Sequence, residues 1–296
     1  MPRTSTTVDL PDGRVAGYEV IGSGKPLLYF TGGPGENAAI LRGDAELLAD
    51  QFAVYLIEPH GSGVSSPPED PSLYDPAGHA RFYEEVRDAL GVSPATVMGF
   101  SFGAAVALAY AALFPDVTTR CIAIAGRAVG AAAGADSAAE MERALERHSN
   151  AAWYPAARKT WDAVDQVVAA MTDPRELDAM RVQLLPLYMA HPESPSAQAT
   201  IAAWRRDLRS NLAASKAWEE SLWETFDLRG LLEQIRCQTL ILNGELDVVC
   251  GPTHGAVIAQ HVSGAELVTV ADCGHFIPDE KPHEFREAVM SFCKFG

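Results

Sequence analysis

Thr96-Val-Met-Gly99-Phe100-Ser101-Phe102-Gly103-Ala104-Ala105 carries the first structural signal in the chain. A short apolar run leads into it, G-x-S-x-G stands at its centre, and a helical pattern over 104–114 leaves it before Pro115. A serine on so sharp a strand-to-helix turn sits in a strained backbone, and the flanking glycines remove side chains that would collide. The following helix aims its first N–H groups and positive dipole end at the serine, where negative charge develops on attack. Ser101 is therefore the candidate nucleophile, on a strand–turn–helix unit.

The same alternation extends in both directions. Short runs rich in β-branched and aromatic residues over 26–31, 52–57, 121–125, 239–242 and 266–270 read as strands, and 38–50, 78–90 and 282–295 read as helices. Continuous apolar strands separated by helices imply a parallel sheet covered on both faces, hence an α/β architecture. The rhythm stops between Arg127 and Leu228, where the spacing is helical and all five tryptophans fall: Trp153, Trp161, Trp204, Trp218 and Trp223. The expectation is a core built from 1–126 and 229–296, with a helical lid over 127–228. The lid's tryptophans would fill its own interior or line a ligand cleft, since such clefts favour domain interfaces.

Composition removes several classes of function. The 296 residues carry 39 Asp and Glu against 23 Lys and Arg, a formal charge of −16 with no basic cluster, which repels phosphate backbones and excludes nucleic-acid binding. Residues 1–13 are polar and lack the apolar run of a signal peptide. No apolar stretch approaches the ~20 residues that cross a bilayer. Cys121, Cys237, Cys250, Cys273 and Cys293 are scattered without a C-x-x-C pair and read as buried free thiols. These features lead to the expectation of a cytoplasmic protein acting on a small-molecule substrate, without membrane or nucleic-acid partners.

A serine hydroxyl needs a base. Of the eight histidines, only His275 lies just beyond the last strand, in Ala271-Asp-Cys-Gly-His275, where parallel sheets place their ligands. The acid that orients it should follow an earlier strand. Asp247, in Asn243-Gly-Glu-Leu-Asp247, is the choice, Glu245 is the alternative, and Asp272 reads as a solvated loop carboxylate. Thr31-Gly32-Gly33-Pro34-Gly35 closes the strand over 26–31; with no Lys-Ser or Lys-Thr after it, it is not a phosphate-binding Walker loop. It can instead turn a backbone N–H towards Ser101, so the oxyanion hole is assigned to the N–H groups of Gly33 and Phe102. No His-x-x-x-His pair or cysteine cluster has metal-ligand spacing, and no cofactor motif is found.

With these residues in place, the chain resembles the α/β-hydrolase fold superfamily, and within it the prolyl aminopeptidase (proline iminopeptidase)-like branch. The order Ser101, Asp247, His275 is that of the superfamily's triad. Thr31 to Gly35 resembles its His-Gly-Gly-Pro-Gly loop, and Glu58-Pro-His-Gly-Ser-Gly-Val-Ser65 its Asp-Gln-Arg-Gly-x-Gly-x-Ser segment. Thr31 departs from the loop histidine, and His60 stands where an arginine is usual and reads as a structural substitute. The resemblance implies an eight-stranded, mostly parallel sheet with a helical lid, and a serine hydrolase that cleaves a small ester or amide through an acyl-enzyme. Cofactor-free lyases, perhydrolases and C–C bond hydrolases share the triad, and a non-catalytic binding homologue is the remaining rival. In the aminopeptidases, lid carboxylates hold the substrate's free amine. Trp218, Glu219, Glu220 and Trp223 are the candidate substrate-binding residues here, with Glu224 beside them, although a charge run on a helix is also an ordinary solvated face.

Overall fold

The computed structural model describes residues 6–130 and 135–294. Its strands are β1 (Thr6–Asp9), β2 (Val15–Ile21), β3 (Lys25–Phe30), β4 (Phe52–Ile57), β5 (Ala95–Phe100), β6 (Thr118–Ile124), β7 (Gln238–Gly244) and β8 (Glu266–Val270). They form one sheet in the order β1-β2-β4-β3-β5-β6-β7-β8. β2 pairs antiparallel with β1 and β4, and every other pairing is parallel. The N-terminal hairpin was not legible in the sequence. β1 is largely exposed at the sheet edge and β2 contains Gly17 and Glu19, so neither shows a continuous apolar run.

Between β3 and β5 lie the short helix α1 (Arg42–Glu46) and the long helix α2 (Pro76–Ala89); α3 (Phe102–Leu113) follows β5. The helix expected over 38–50 is only a 3-10 turn, Ala38–Leu41, followed by α1. Gly43 lowers helical stability there by about 1 kcal/mol relative to alanine. After β7 come α12 (Pro252–His261) and, beyond β8, α13 (Ile277–Glu280) and α14 (Pro282–Phe292). Alternate strand residues face opposite layers. Leu28 and Phe30 join Phe82, Val86, α3 and Ile258 on one face, while Leu27 and Tyr29 join Leu41, Phe285 and Val289 on the other. α3 is buried nearly all round, which its run of Gly and Ala permits. Four cysteines are buried and Cys237 is half-buried, and all five are free thiols.

From the end of β6 to the start of β7 the described residues form no strand of the sheet. They fold as α4 (Ala135–Glu146), α5 (Tyr154–Trp161), α6 (Val164–Ala170), α7 (Pro174–Tyr188), α8 (Pro195–Asp207), α9 (Leu212–Ala217), a π-helical turn (Trp218–Leu222), α10 (Trp223–Thr225) and α11 (Arg229–Leu232). The tryptophans divide their work. Trp153 and Trp161 pack on the insertion's own cluster around Leu145 and Leu184. Trp204 packs edge-on against Phe276 and Trp218 against Phe102, at centroid distances of 5.2 and 5.1 Å, so both enter the layers of the sheet. No helix among the described residues is long and apolar enough to cross a membrane.

Candidate active site

β5 delivers Ser101 to the carboxyl edge of the sheet at φ 55° and ψ −119°. L-residues rarely adopt this backbone, and it persists only where the surroundings impose it. Here they do. The Ser101 N–H donates to the Ile124 carbonyl at 2.9 Å. A side chain on Gly99 would run into the Gly103 carbonyl, and one on Gly103 into the carbonyls of Phe30 and Thr31. Both glycines of the motif are therefore required by close approach of backbone to backbone.

Two further loops meet beside it. A Cβ on Gly244, at the end of β7, would strike the backbone of Cys273 and Gly274, and Leu246 N–H donates to the Cys273 carbonyl at 2.8 Å. This contact brings Asp247 to His275, whose Nδ1 lies 2.7 Å from Asp247 Oδ2, with both side chains almost wholly buried. The other carboxylate oxygen accepts the N–H groups of Val249 and Cys250 at 2.7 and 3.0 Å. Burial pushes the Asp247 carboxyl up, but His275 and these two amides outweigh it and hold the group below its usual range. The rival acid is placed elsewhere. Glu245 is exposed and its carboxylate accepts the Asp272 N–H at 2.9 Å, while Asp272 forms a surface cluster with His191 and Lys281. Glu280 accepts the N–H groups of Gly274 and Phe276, each at 3.2 Å, and that of Ala190 at 2.7 Å, fixing the backbone on both sides of His275.

The glycine loop after β3 carries Gly33 at φ 113°. Phe102 opens α3, where the first N–H groups have no intrahelical acceptor. The loop is held from the helical insertion: Asn211 N–H donates to Gly35 O at 2.8 Å, Asn37 N–H to Arg209 O at 3.2 Å, and Arg181 Nη2 to Pro34 O at 2.8 Å. Ser101 lines two adjoining cavities, of about 140 and 470 Å³, that also share Gly33, Tyr188, Trp218 and Glu219. His275, Glu36 and Arg181 face the smaller one; Arg127, Trp161, Trp223 and Glu224 face the larger.

The structure thus brings Ser101, His275, Gly33, Phe102, Trp218, Glu219 and Trp223 to one cleft, with Asp247 behind the histidine. Glu220 departs from the expectation. It is exposed and lines neither cavity, whereas its neighbour Glu219 lines both. His60 is buried on the Phe82 ring at a centroid distance of 3.9 Å and lines neither cavity. Its role as a structural substitute fits that placement. Sequence reading missed Glu36, Arg181 and Tyr188. Glu36 directly follows the glycine loop, but nothing in its spacing signals burial beside Ser101. Among the described residues no group of three or more His, Cys, Asp or Glu side chains is placed to hold a metal ion.

A profile of the α/β hydrolase fold matches residues 25–282. The proline iminopeptidase of Lactobacillus crispatus (strain ST1) is 23% identical over 292 residues, covering 93% of both chains. The structure of a hydrolase from Pseudomonas aeruginosa PA01 superposes with a TM-score of 0.73 at 22% identity, covering 100% of both chains. That of the enol-lactonase from Burkholderia xenovorans LB400 does so with a TM-score of 0.73 at 19% identity, covering 97% of this chain and 99% of the other. The match to the profile spans most of the sequence and the eight-stranded sheet is the one it describes: the chain belongs to the α/β hydrolase fold family.

Proposed function

We propose that the protein is a serine hydrolase that cleaves a small-molecule ester or amide through an acyl-enzyme. The observation that carries this reading is the buried 2.7 Å contact between His275 and Asp247, in a cleft where Ser101 stands at φ 55°. Ser101 Oγ attacks the carbonyl while His275 Nε2 takes its proton. Asp247 fixes the proton on Nδ1 and stabilises the imidazolium. The N–H groups of Phe102 and Gly33 receive the oxyanion, each such donor being worth about 3 kcal/mol in the transition state. His275 then protonates the leaving group and activates the water that releases the acid. The helical insertion acts as a lid that excludes bulk water and selects the substrate.

The iminopeptidase relative and the position of Glu219 on both cavity walls support an aminopeptidase-like member of this class. Comparing the release of p-nitroaniline from prolyl and N-acetylprolyl p-nitroanilides tests that narrower reading. A preference for the free amine supports it, and equal turnover rejects it.

The test of the reaction class is intact mass after treatment with an alkyl fluorophosphonate. One stoichiometric adduct on the wild type, absent from Ser101→Ala, is the expected result. A folded wild-type protein that takes up no label would overturn the reading.

A further inference from the structure

Glu36 is a buried carboxylate in the wrong company for a purely structural role. Only 7% of its surface is exposed, and it lines the smaller cavity together with Ser101 and His275. Its Oε1 comes no closer than 3.9 Å to Arg181 Nη1, and that guanidinium is occupied with Ser210 Oγ, Pro34 O and Ser215 Oγ at 2.7, 2.8 and 3.0 Å. Its Oε2 is buried and has no hydrogen-bond partner. Buried polar atoms are nearly always satisfied, so an orphaned carboxylate oxygen on the wall of a cleft calls for a ligand donor.

The carboxylate also lies close to Ser101. The point at which a Cβ on Gly32 would lie is 2.9 Å from Glu36 Oε2 and 3.3 Å from Ser101 Cβ. Carboxylate and Ser101 thus converge on one point beside Gly32, where a side chain would crowd both of them and Phe100. Ser101 and Glu36 line the same cavity, so an acyl group held on Ser101 would have its next carbon in the space that Glu36 faces. Burial raises the affinity of Glu36 for a proton, and Arg181 and His275 act against that rise. Glu219 faces the same cavity as a second carboxylate, so a single guanidinium meets two acids and the wall favours a cationic donor.

We propose that Glu36 is the specificity-determining residue of the smaller cavity, accepting a hydrogen bond from an ammonium or hydroxyl group on the carbon next to the reacting carbonyl. The inference rests on the acyl-enzyme reading. It assigns the direct hydrogen bond to that donor to a residue just after the glycine loop of the core, with Glu219 of the lid as the second acid on the same wall.

Methyl alaninate, methyl lactate and methyl propionate differ only in this substituent. Wild type is expected to show kcat/KM for alaninate at least about 10-fold above propionate, as a hydrogen bond to a charged group allows. Glu36→Gln should lower the alaninate-to-propionate ratio by about 10- to 100-fold. Glu36→Asp, which keeps the charge near Arg181 but withdraws it from Ser101, should lower it too. A preference for lactate over both other esters would assign the donor as a hydroxyl. Equal kcat/KM for all three esters, or variants that slow all three alike, would overturn the proposal. Binding of alaninamide, lactamide and propionamide to Ser101→Ala, followed by NMR line broadening, tests it without turnover. If no ester is cleaved and no fluorophosphonate adduct forms, the hydrolase reading fails. The order of amide binding then still decides on Glu36: a donor-bearing amide bound more tightly supports it, and equal binding rejects it.

Discussion

Asp247 is kept ionised in a place where burial alone would neutralise it, and the two amides of Val249 and Cys250 and the His275 ring are what keep it so. Asp247→Asn retains the shape of the group but lets it donate to Nδ1, turning the wrong tautomer towards Ser101. Loss of about four orders of magnitude in kcat, with KM little changed, is the expected outcome in steady-state assays. A loss below tenfold would mean that the contact is structural. The same residue shows what a linear sequence conveys well. Ser101, Asp247 and His275 each stand within a few residues of a strand's carboxyl end, so locating the strands locates the groups. Glu36 and Arg181 were illegible for the opposite reason. They face each other across 145 residues of chain, and neither carries a local pattern that distinguishes it from a surface charge.

At the scale of elements, the loop bearing His275 owes its shape to the short helix after it. The Glu280 carboxylate, at the end of α13, accepts three backbone N–H groups, two of them adjacent to His275 and one from the segment after α7. Burial raises this carboxyl's affinity for a proton and the three amides pull it back. Glu280→Ala should cost about 100-fold in kcat through misplacement of His275, with little change in KM. Glu280→Gln, which still offers one acceptor, should recover part of that loss. The rate of fluorophosphonate labelling checks both, because it reports activation of Ser101 independently of substrate binding. Unchanged labelling in Glu280→Ala would remove Glu280 from the positioning of the histidine. The main strands were readable from continuous apolar runs, since strands buried on both faces have no polar side to interrupt them. The N-terminal hairpin was not, because edge exposure breaks its apolar run, and the helix read over 38–50 came out shorter because its apolar spacing does not register the cost of Gly43.

At the scale of the whole molecule, the buried histidines contribute a sensitivity of folding to acid. His79 is 1% exposed, its Nδ1 meets the Asp75 carbonyl at 3.1 Å and its Nε2 has no partner. Burial pushes it down to about 4, and its neighbour His60 to about 3. An unfolded histidine titrates near 6.5, so between about pH 6.5 and 4 the unfolded chain binds more protons than the folded one. Stability contributed by neutral His79 is therefore complete above that window and falls as the pH drops through it, by up to about 1.4 kcal/mol per pH unit. Urea midpoints should decline from pH 7 to 5, and His79→Phe should decline less steeply. Parallel declines would show that His79 is not a source of acid sensitivity.

The seam between the glycine loop and the insertion has a further consequence for engineering. The segment 207–211 runs alongside Glu36 and Asn37 as a short antiparallel bridge, and Asn37 returns side-chain bonds to Asp207 and Arg209. A chimaera that exchanges the whole insertion for that of a relative would therefore discard part of the scaffold holding the glycine loop, as well as much of the cavity lining. Grafts that stop short of Asp207, resume beyond Ser215 and retain Arg181 leave that seam native, and so alter what enters the cleft while keeping the glycine loop in place.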